Sequence, residues 1–209
     1  MRMFRPSGNR TRRLLSFLRR RARTPAARRA ELDRRSFPTL FRKRAVVFTD
    51  TADFTVRTLR DGILHFLMVF DEVVGGLDGV ARRHGGEILK VEADSLLLRF
   101  DDPVRACHAV RGMELFLRGR NRTRPANEQL RFSYGIGYGD LLDLDGDLFG
   151  LEVNLASKLG EDLARPGQAL LTSSATQALD ARTRRQVVPH RIVTFGQSSM
   201  PVHRLKLGS

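Results

Sequence analysis

The 209-residue chain has no tryptophan, two tyrosines and a single cysteine, and it has no long apolar run. One cysteine excludes an internal disulfide framework and suits a reducing compartment, and Cys107 lies in an apolar-periodic stretch, where we expect it to fill the core. No segment approaches the roughly 20 apolar residues of a membrane span. The island LLSFL between arginines is also shorter than the about 7–15 apolar residues of a secretory signal. We therefore expect a cytoplasmic protein that is not exported by that route.

Acidic residues are scarce at one end of the chain. Residues 1–44 hold sixteen Lys and Arg against Glu31 and Asp33, whereas the remainder holds 21 residues of each sign, so the whole formal charge of +14 belongs to this end. We predict a basic arm over 1–43 that is disordered or forms a short amphipathic helix. Such an arm could contact an anionic membrane, which would make the protein membrane-peripheral, or nucleic acid. A solvated leader without any site is an equal alternative.

Regular alternation of strand and helix patterns occupies the predicted domain, 44–209. RAVVFTD predicts a strand over 44–50, and apolar residues at helical spacing predict one long helix that ends at the glycines before a hairpin. The hairpin strands are expected near 86–92 and 94–100, with a helix near 102–119. Later segments predict a long strand that turns back on itself, an amphipathic helix, a strand, a short helix and two final strands. This β-α-β-β-α-β order predicts an α+β fold, ferredoxin-like or palm-like, with a mixed or antiparallel sheet and helices packed on one face.

Two patterns, in the long strand and in its turn, predict structural features and not binding sites. GIGYG has glycine at every second position, which indicates a bend or the close approach of another backbone. DLDGD, 143–147, has acids at a spacing like that of an EF-hand, but the twelfth position from Asp143 is Asn154 and not a glutamate. We therefore predict a hairpin turn at DLDGD.

Two carboxylates lie at the ends of apolar strands. Asp50 ends the first strand and Asp94 lies at the turn of the hairpin, so adjacent central strands would bring them together. With no histidine or cysteine nearby in sequence, such a pair favours Mg²⁺ or Mn²⁺ over zinc, although both acids could instead cap turns. There is no P-loop motif, but the strand–turn–helix passage TADFT would expose backbone N–H groups that can bind a polyphosphate. The candidate phosphate-binding residues are Thr51, Ala52, Asp53, Phe54 and Thr55.

Three segments, in order and spacing, carry a family resemblance. VVFTDTADFT, GGEILKVEADSLLLRF and GIGYGDLLDLDGDLFGLEVNLASKL resemble the signature segments of the class III nucleotidyl cyclase catalytic domain, over about residues 44–207. The resemblance implies conversion of ATP to 3′,5′-cyclic AMP and pyrophosphate, with two Mg²⁺ or Mn²⁺ ions, at the interface of a head-to-tail homodimer. It implies that Asp50 and Asp94 bind the ions.

The resemblance also assigns residues to the base. Lys90, four residues before Asp94, matches the lysine that reads adenine, and Asp147 in DLFG matches its acidic partner, which together imply ATP. The chemistry agrees, since adenine offers a ring-nitrogen acceptor and an exocyclic amine donor, while guanine presents the opposite pattern. A site built this way leaves groups unpaired with the wrong base.

Further matches come with departures from the family pattern. Asn154 matches the asparagine that supports the α-phosphate, but the arginine position holds Lys158, which keeps the charge and loses the planar fork. Phe195 stands where many members have a phosphate-binding lysine, and Ala93 replaces a usual glycine beside Asp94. Two alternatives therefore stay open: a catalytically degenerate domain that binds nucleotide or regulates a partner, and a cyclase for another base.

Overall fold

The computed structural model describes residues 8–208, and its elements follow the sequence pattern closely. The helices are α1 (Asn9–Arg23), α2 (Ala26–Leu40), α3 (Phe54–Asp61), α4 (Ile63–Arg83), α5 (Pro103–Asn121), α6 (Leu151–Lys158), α7 (Ser173–Gln177) and α8 (Ala181–Arg184). The strands are β1 (Phe41–Thr51), β2 (Gly86–Glu92), β3 (Ser95–Phe100), β4 (Phe132–Leu144), β5 (Asp147–Phe149), β6 (Ala169–Leu171), β7 (Val187–Phe195) and β8 (Ser198–Leu205). A short 3-10 turn, Ala126–Glu128, precedes β4, and one π-helical turn, Leu159–Leu163, continues α6.

One mixed sheet organises the chain in the order β2-β3-β1-β4-β6-β8-β7, with β5 paired to β4. The β4–β6 pair is parallel and the other pairs are antiparallel. β1 lies between β3 and β4, so the strand that carries Asp50 is central and the hairpin lies beside it. This α+β arrangement confirms the predicted fold class. The predicted hairpin turn at DLDGD is also confirmed, since Leu144 pairs with Asp147.

Helices cover both faces of the sheet, so the expectation of a single helical face is wrong. Ala45 and Val47 of β1 belong to the main core, which α4 and α5 share, and Cys107 is fully buried there as predicted. The alternate residue Val46 packs on the opposite face against Ala156 of α6. Because side chains of a strand alternate between faces, the two sets of contacts place α6 across the sheet from α4 and α5.

Glycines allow α6 to lie directly on the strands, and this is a close backbone approach of the kind that the GIGYG pattern indicated. A Cβ atom at Gly135 would lie 1.9 Å from the carbonyl oxygen of Ala156, and one at Gly137 would lie 2.5 Å from that of Glu152. Only residues without a side chain fit at such distances. The predicted long helix is interrupted at Gly62, whose φ of 85° separates α3 from α4.

Most of the described part of the basic arm is helical. Residues 8–40 contain α1 and α2, and residues 41–43 already belong to β1, where they pair with β4. Leu14 and Leu15 of α1 are buried. The division into an arm over 1–43 and a domain over 44–209 stays a prediction, as does the cytoplasmic location. Within 8–208, no helix is both long enough and apolar enough to cross a membrane.

Candidate active site

Asp50 and Asp94 lie beside each other because the end of β1 is bonded to the β2–β3 turn. The Thr51 hydroxyl donates to the carbonyl oxygen of Asp94 at 2.7 Å, and the N–H of Leu96 donates to the Thr49 hydroxyl at 3.1 Å. The residue before Asp94, Ala93, has a φ of 52°, in the left-handed region. The structure thus brings together the two carboxylates that the sequence singled out, at one edge of the central strands.

The electrostatics of this pair disfavour two bare charges. Partial burial, followed by the charges of Asp94 and Glu161, raises the pKa of Asp50 from 3.8 to about 6. Burial, and then the charge of Glu161, also raises the pKa of Asp94. Burial is the first cause of both shifts and neighbouring negative charge adds to it, and a divalent cation would offset both effects, so the pair fits a hard metal ion.

The pair would not complete a metal site by itself. Among residues 8–208, no three His, Cys, Asp or Glu side chains are already grouped at metal-binding geometry. Mg²⁺ is usually bound through one or two carboxylates, with substrate phosphates and water as its other ligands. Asp50 and Asp94 therefore fit an ion that arrives with a polyphosphate better than a closed structural metal centre.

Two further acids approach the pair, and sequence reasoning missed them. Glu161 and Asp162 lie in the π-helical turn after α6, and both contribute to the raised pKa of Asp50. The turn can come this close because Gly160 has no side chain: a Cβ atom there would lie 2.9 Å from the carbonyl oxygen of Phe48. The Ser133 hydroxyl also holds the turn, since it donates to the carbonyl oxygen of Gly160 at 2.8 Å. The only signal in the sequence was a pair of adjacent acids directly after an amphipathic helix.

Lys90 and Asp147 are brought together from different strands. The Nζ of Lys90 on β2 lies 3.6 Å from the Oδ2 of Asp147 on β5, and it also forms an ion pair with Glu92. The contact with Glu92, and then the charge of Asp147, raises the pKa of Lys90. The N–H of Leu148 donates to the Oδ1 of Asp147 at 2.8 Å and fixes this carboxylate. A donor and an acceptor therefore stand side by side, as recognition of an adenine edge requires.

Asn154 and Lys158 lie four residues apart on α6, which places them on one face of the helix. Both are exposed, and Lys158 forms an ion pair with Asp162 at 3.0 Å. Phe195 packs against the apolar cluster around Leu159 and supplies no charge to a phosphate. The exposed face of α6 is thus available to a ligand or to a second copy of the chain.

The candidate phosphate-binding segment is only partly free. The Thr51 hydroxyl is engaged with Asp94, and the N–H of Ala52 donates to the carbonyl oxygen of Arg131 at 2.9 Å. Asp53 precedes α3 with a φ of 64°. The N–H groups of Phe54 and Thr55, in the first turn of α3, have no intrahelical partner, so they are the donors that a polyphosphate could use.

Comparison with known proteins gives a consistent group of relatives. No family model matches the chain. The Rhizobium meliloti protein named "Putative adenylate cyclase 3" is 28% identical over 132 residues, which cover 63% of this chain and 22% of that protein. An uncharacterized protein of Mycobacterium tuberculosis is 29% identical over 160 residues, which cover 77% of this chain and 40% of that protein. The chain thus matches between a fifth and two fifths of the length of these curated relatives.

Solved structures match about four fifths of the chain. The adenylate/guanylate cyclase/hydrolase of Silicibacter pomeroyi superposes with a TM-score of 0.67 at 23% identity, covering 79% of this chain and 96% of that one. The catalytic core of a rhodopsin-guanylyl cyclase with converted specificity, in complex with ATPαS, gives a TM-score of 0.69 at 18% identity, with the same coverage. An adenylate cyclase of Trypanosoma brucei gives 0.64 at 18% identity, covering 79% of this chain and 90% of that one.

Proposed function

From the class III nucleotidyl cyclase fold of this chain, we propose that it converts ATP to 3′,5′-cyclic AMP and pyrophosphate at the interface of a head-to-tail homodimer. The observation that carries the proposal is the double juxtaposition of Asp50 with Asp94 and of Lys90 with Asp147. The solved relatives include guanylyl and adenylate cyclases, so the fold does not select the base. The Lys90–Asp147 pair supports ATP, because its donor and acceptor match adenine.

The residues have distinct tasks in this proposal. Asp50 and Asp94 would hold two Mg²⁺ or Mn²⁺ ions together with the triphosphate. When bound, the ions supply charge stabilisation at the attacking and leaving oxygens. The N–H groups at the start of α3 bind the phosphate chain. The side chains of Asn154 and Lys158 donate to the α-phosphate, where negative charge grows as the ribose 3′-oxygen attacks.

The proposed dimer explains why Asn154 and Lys158 are exposed in one chain. Both lie on an open face of α6, and Lys158 is engaged only with Asp162 among the described residues. A second copy in head-to-tail orientation would contribute this face, with its base-reading pair, to the carboxylates of the first. Since every assigned residue is on the same chain, a homodimer forms two equivalent sites.

A second candidate function is a catalytically degenerate domain that binds nucleotide and regulates a partner. The observation that favours it is Lys158, a single ammonium where the family has an arginine, already paired with Asp162 at 3.0 Å. A guanidinium can bind two phosphate oxygens at once, and an ammonium cannot. The packing of Phe195 in an apolar cluster removes a further cation that many family members use.

Product analysis separates these functions. Purified protein is incubated with Mn²⁺ and an equimolar mixture of ATP, GTP, CTP and UTP, and the products are identified by mass spectrometry. We expect cyclic AMP as the main product. A different cyclic nucleotide would overturn the base assignment, and no product from a folded dimer would favour the regulatory domain.

A double variant tests whether Lys90 and Asp147 recognise the base. The double substitution Lys90→Glu, Asp147→Ser should lower kcat/KM for ATP by about 100-fold and raise the GTP-to-ATP ratio, because it leaves the adenine edge unpaired. Lys206→Glu, a charge reversal at an exposed lysine near the C-terminus, is the control and should change neither value. An unchanged base preference in the double variant would show that Lys90 and Asp147 do not read the base.

The raised pKa of Asp50 predicts a pH dependence of metal binding. With a folded-state pKa of about 6 against 3.8, the folded protein binds more protons in this window, so the metal-free protein loses stability as the pH rises from about 4 to 6. Mn²⁺ competes with those protons. At about 100 times its Kd, Mn²⁺ should stabilise by about 2.7 kcal/mol and raise Tm at pH 7.5 by about 5–10 °C, with less than half this gain at pH 5.

Thermal unfolding with and without Mn²⁺ measures this effect. Asp50→Asn should remove most of the Mn²⁺-dependent gain at pH 7.5. An equal gain at both pH values, or a gain that persists in Asp50→Asn, would place the ion elsewhere.

A further inference from the structure

The first helix of the arm is capped by the turn between β4 and β5. Gly8 precedes α1 and has no side chain, and the Oδ2 of Asp145 instead accepts from the N–H of Thr11 at 3.0 Å and from its hydroxyl at 2.9 Å. These bonds, the backbone one first, lower the pKa of Asp145. A Cβ atom at Gly8 would lie 2.0 Å from the Asp145 carboxyl carbon, so a larger residue there would displace the carboxylate. A capping oxygen at a helix N-terminus is ordinarily local, whereas this one comes from 134 residues away.

A second carboxylate of the same segment is buried beneath the arm. The side chain of Asp143 is 0% exposed, and it forms ion pairs with arginines from three elements. Arg10 of α1 contributes Nη1 at 2.8 Å, Arg44 of β1 contributes Nε at 3.1 Å, and Arg99 of β3 completes the set. A buried carboxylate requires such partners, since an unpaired charge there is strongly destabilising. We call Arg10, Thr11, Asp143 and Asp145 the arm–turn contact.

The arm–turn contact adjoins the proposed base-reading pair. Asp145 and Gly146 form a two-residue turn, after which Asp147 pairs with Leu144. The Oδ2 of Asp147 is the atom that lies 3.6 Å from the Nζ of Lys90. The other strand is tied in as well, because Arg99 binds both Asp143 and Glu87 of β2, the strand that carries Lys90.

We propose that Arg10, Thr11 and Asp145 are positioning residues for nucleotide recognition. In this proposal docked α1 fixes the β4–β5 turn so that Asp147 stays beside Lys90, and release of α1 loosens the pair. The inference rests on the proposed function, because it takes Asp147 and Lys90 as base readers. It gives the basic arm a task within the chain, namely to set the affinity and selectivity of the site for its nucleotide.

Steady-state kinetics of the full chain tests the proposal. The double substitution Arg10→Ala, Asp145→Ala removes the α1 side of the contact and leaves Asp143 paired with Arg44 and Arg99. We expect KM for ATP to rise about tenfold, kcat to change less than twofold, and the preference for ATP over GTP to fall about tenfold. A purely structural role would lower Tm and the active fraction without changing KM or the preference, and that result would overturn the proposal.

Two variants control for general damage to the arm. Asp33→Ala breaks the bidentate ion pair with Arg21, at 2.8 and 3.0 Å, between α1 and α2, and it leaves the arm–turn contact intact. It should keep the wild-type KM and base preference. Asp145→Asn retains an oxygen that can accept from Thr11. Its KM should therefore lie much closer to the wild-type value than the KM of the single Asp145→Ala variant. A KM that rises equally in Asp33→Ala would contradict the assignment.

Hydrogen exchange gives a readout that does not depend on activity. In the double variant, the amides of 144–149 should exchange at least tenfold faster than in the wild-type chain, while those of β1 stay unchanged. Unchanged exchange in 144–149 would overturn the coupling, whether or not the protein makes a cyclic nucleotide. Faster exchange in a protein that makes no product would support the coupling and reject the proposed activity.

Discussion

Asp50→Asn is expected to abolish cyclic nucleotide formation and to leave the chain folded. The carboxylate is half-buried beside Asp94, with a pKa raised to about 6, and an amide of the same shape cannot neutralise a cation. Loss of a metal ligand should lower kcat/KM on the order of 1,000-fold, since it removes charge stabilisation at the reacting oxygens. β1 is held by backbone pairing with β3 and β4, so we expect the fold to survive the substitution.

The same substitution, Asp50→Asn, should raise the free energy of unfolding although it removes the activity. At pH 7.5 without metal, Asp50 is an ionised group held near Asp94 and Glu161, and substitution by asparagine removes the repulsion. Because the carboxylate is only partly buried, solvent screening reduces the effect, and we expect a gain on the order of 1 kcal/mol in the free energy of unfolding. Chemical denaturation at pH 7.5 measures it.

The control for Asp50→Asn is a carboxylate outside the site. Asp78→Asn breaks an exposed ion pair with Arg82 within α4 and should retain full activity with nearly unchanged stability. If Asp50→Asn keeps its turnover, Asp50 does not bind a required metal ion. If it unfolds, the carboxylate is a structural group.

Mixing two inactive variants should restore activity if each site is built from two chains. Asp50→Asn inactivates the half of the site that holds the metal-binding carboxylates. Asn154→Ala inactivates the half that the exposed face of α6 contributes. In a mixed dimer, one of the two sites then has both halves intact. With random pairing, half of the dimers are mixed, so activity should return to about a quarter of the wild-type value.

The matched control uses two variants on the same side of the site. Asp50→Asn mixed with Asp94→Asn cannot form an intact site and should stay inactive. Product formation is measured after subunit exchange, with mixed dimers counted by mass spectrometry. Absence of rescue in the first mixture, with mixed dimers present, would show that Asp50 and Asn154 act within one chain. Rescue in both mixtures would mean that Asp50 and Asp94 do not share a site.

Local patterns predicted most of the elements because the period of the side chains reports which backbone they suit. The alternating apolar residues of β1 and the apolar strands flanking Asp94 gave a central strand and a hairpin, and both are present. The glycines of GIGYG indicated a close backbone approach. They could not indicate that the approaching backbone is α6, on the face opposite α4, because one strand does not specify what covers each of its faces.

Some residues of the candidate site could be found from the sequence, and others could not. Residue identity and spacing singled out Asp50, Asp94, Lys90 and Asp147. Asp50 meets Asp94 because β1 pairs with β3. Lys90 and Asp147 meet although β2 and β5 are not paired with each other in the sheet. Glu161 was missed because its approach to Asp50 depends on a π-helical turn and on the absence of a side chain at Gly160. Neither feature has a period that sequence reasoning can detect.

The sequence by itself determined the alternation of strands and helices, the hairpin turns and the residue types available for chemistry, since these follow from backbone preference and side-chain spacing. Only the tertiary structure decided the place of the basic arm. Its charge suggested an external anion, yet Arg10 binds the buried Asp143, and the N-terminus of α1 is capped by Asp145. The reason is physical: a buried carboxylate must be paired, and the arginines that pair with Asp143 come from three segments that only folding brings together.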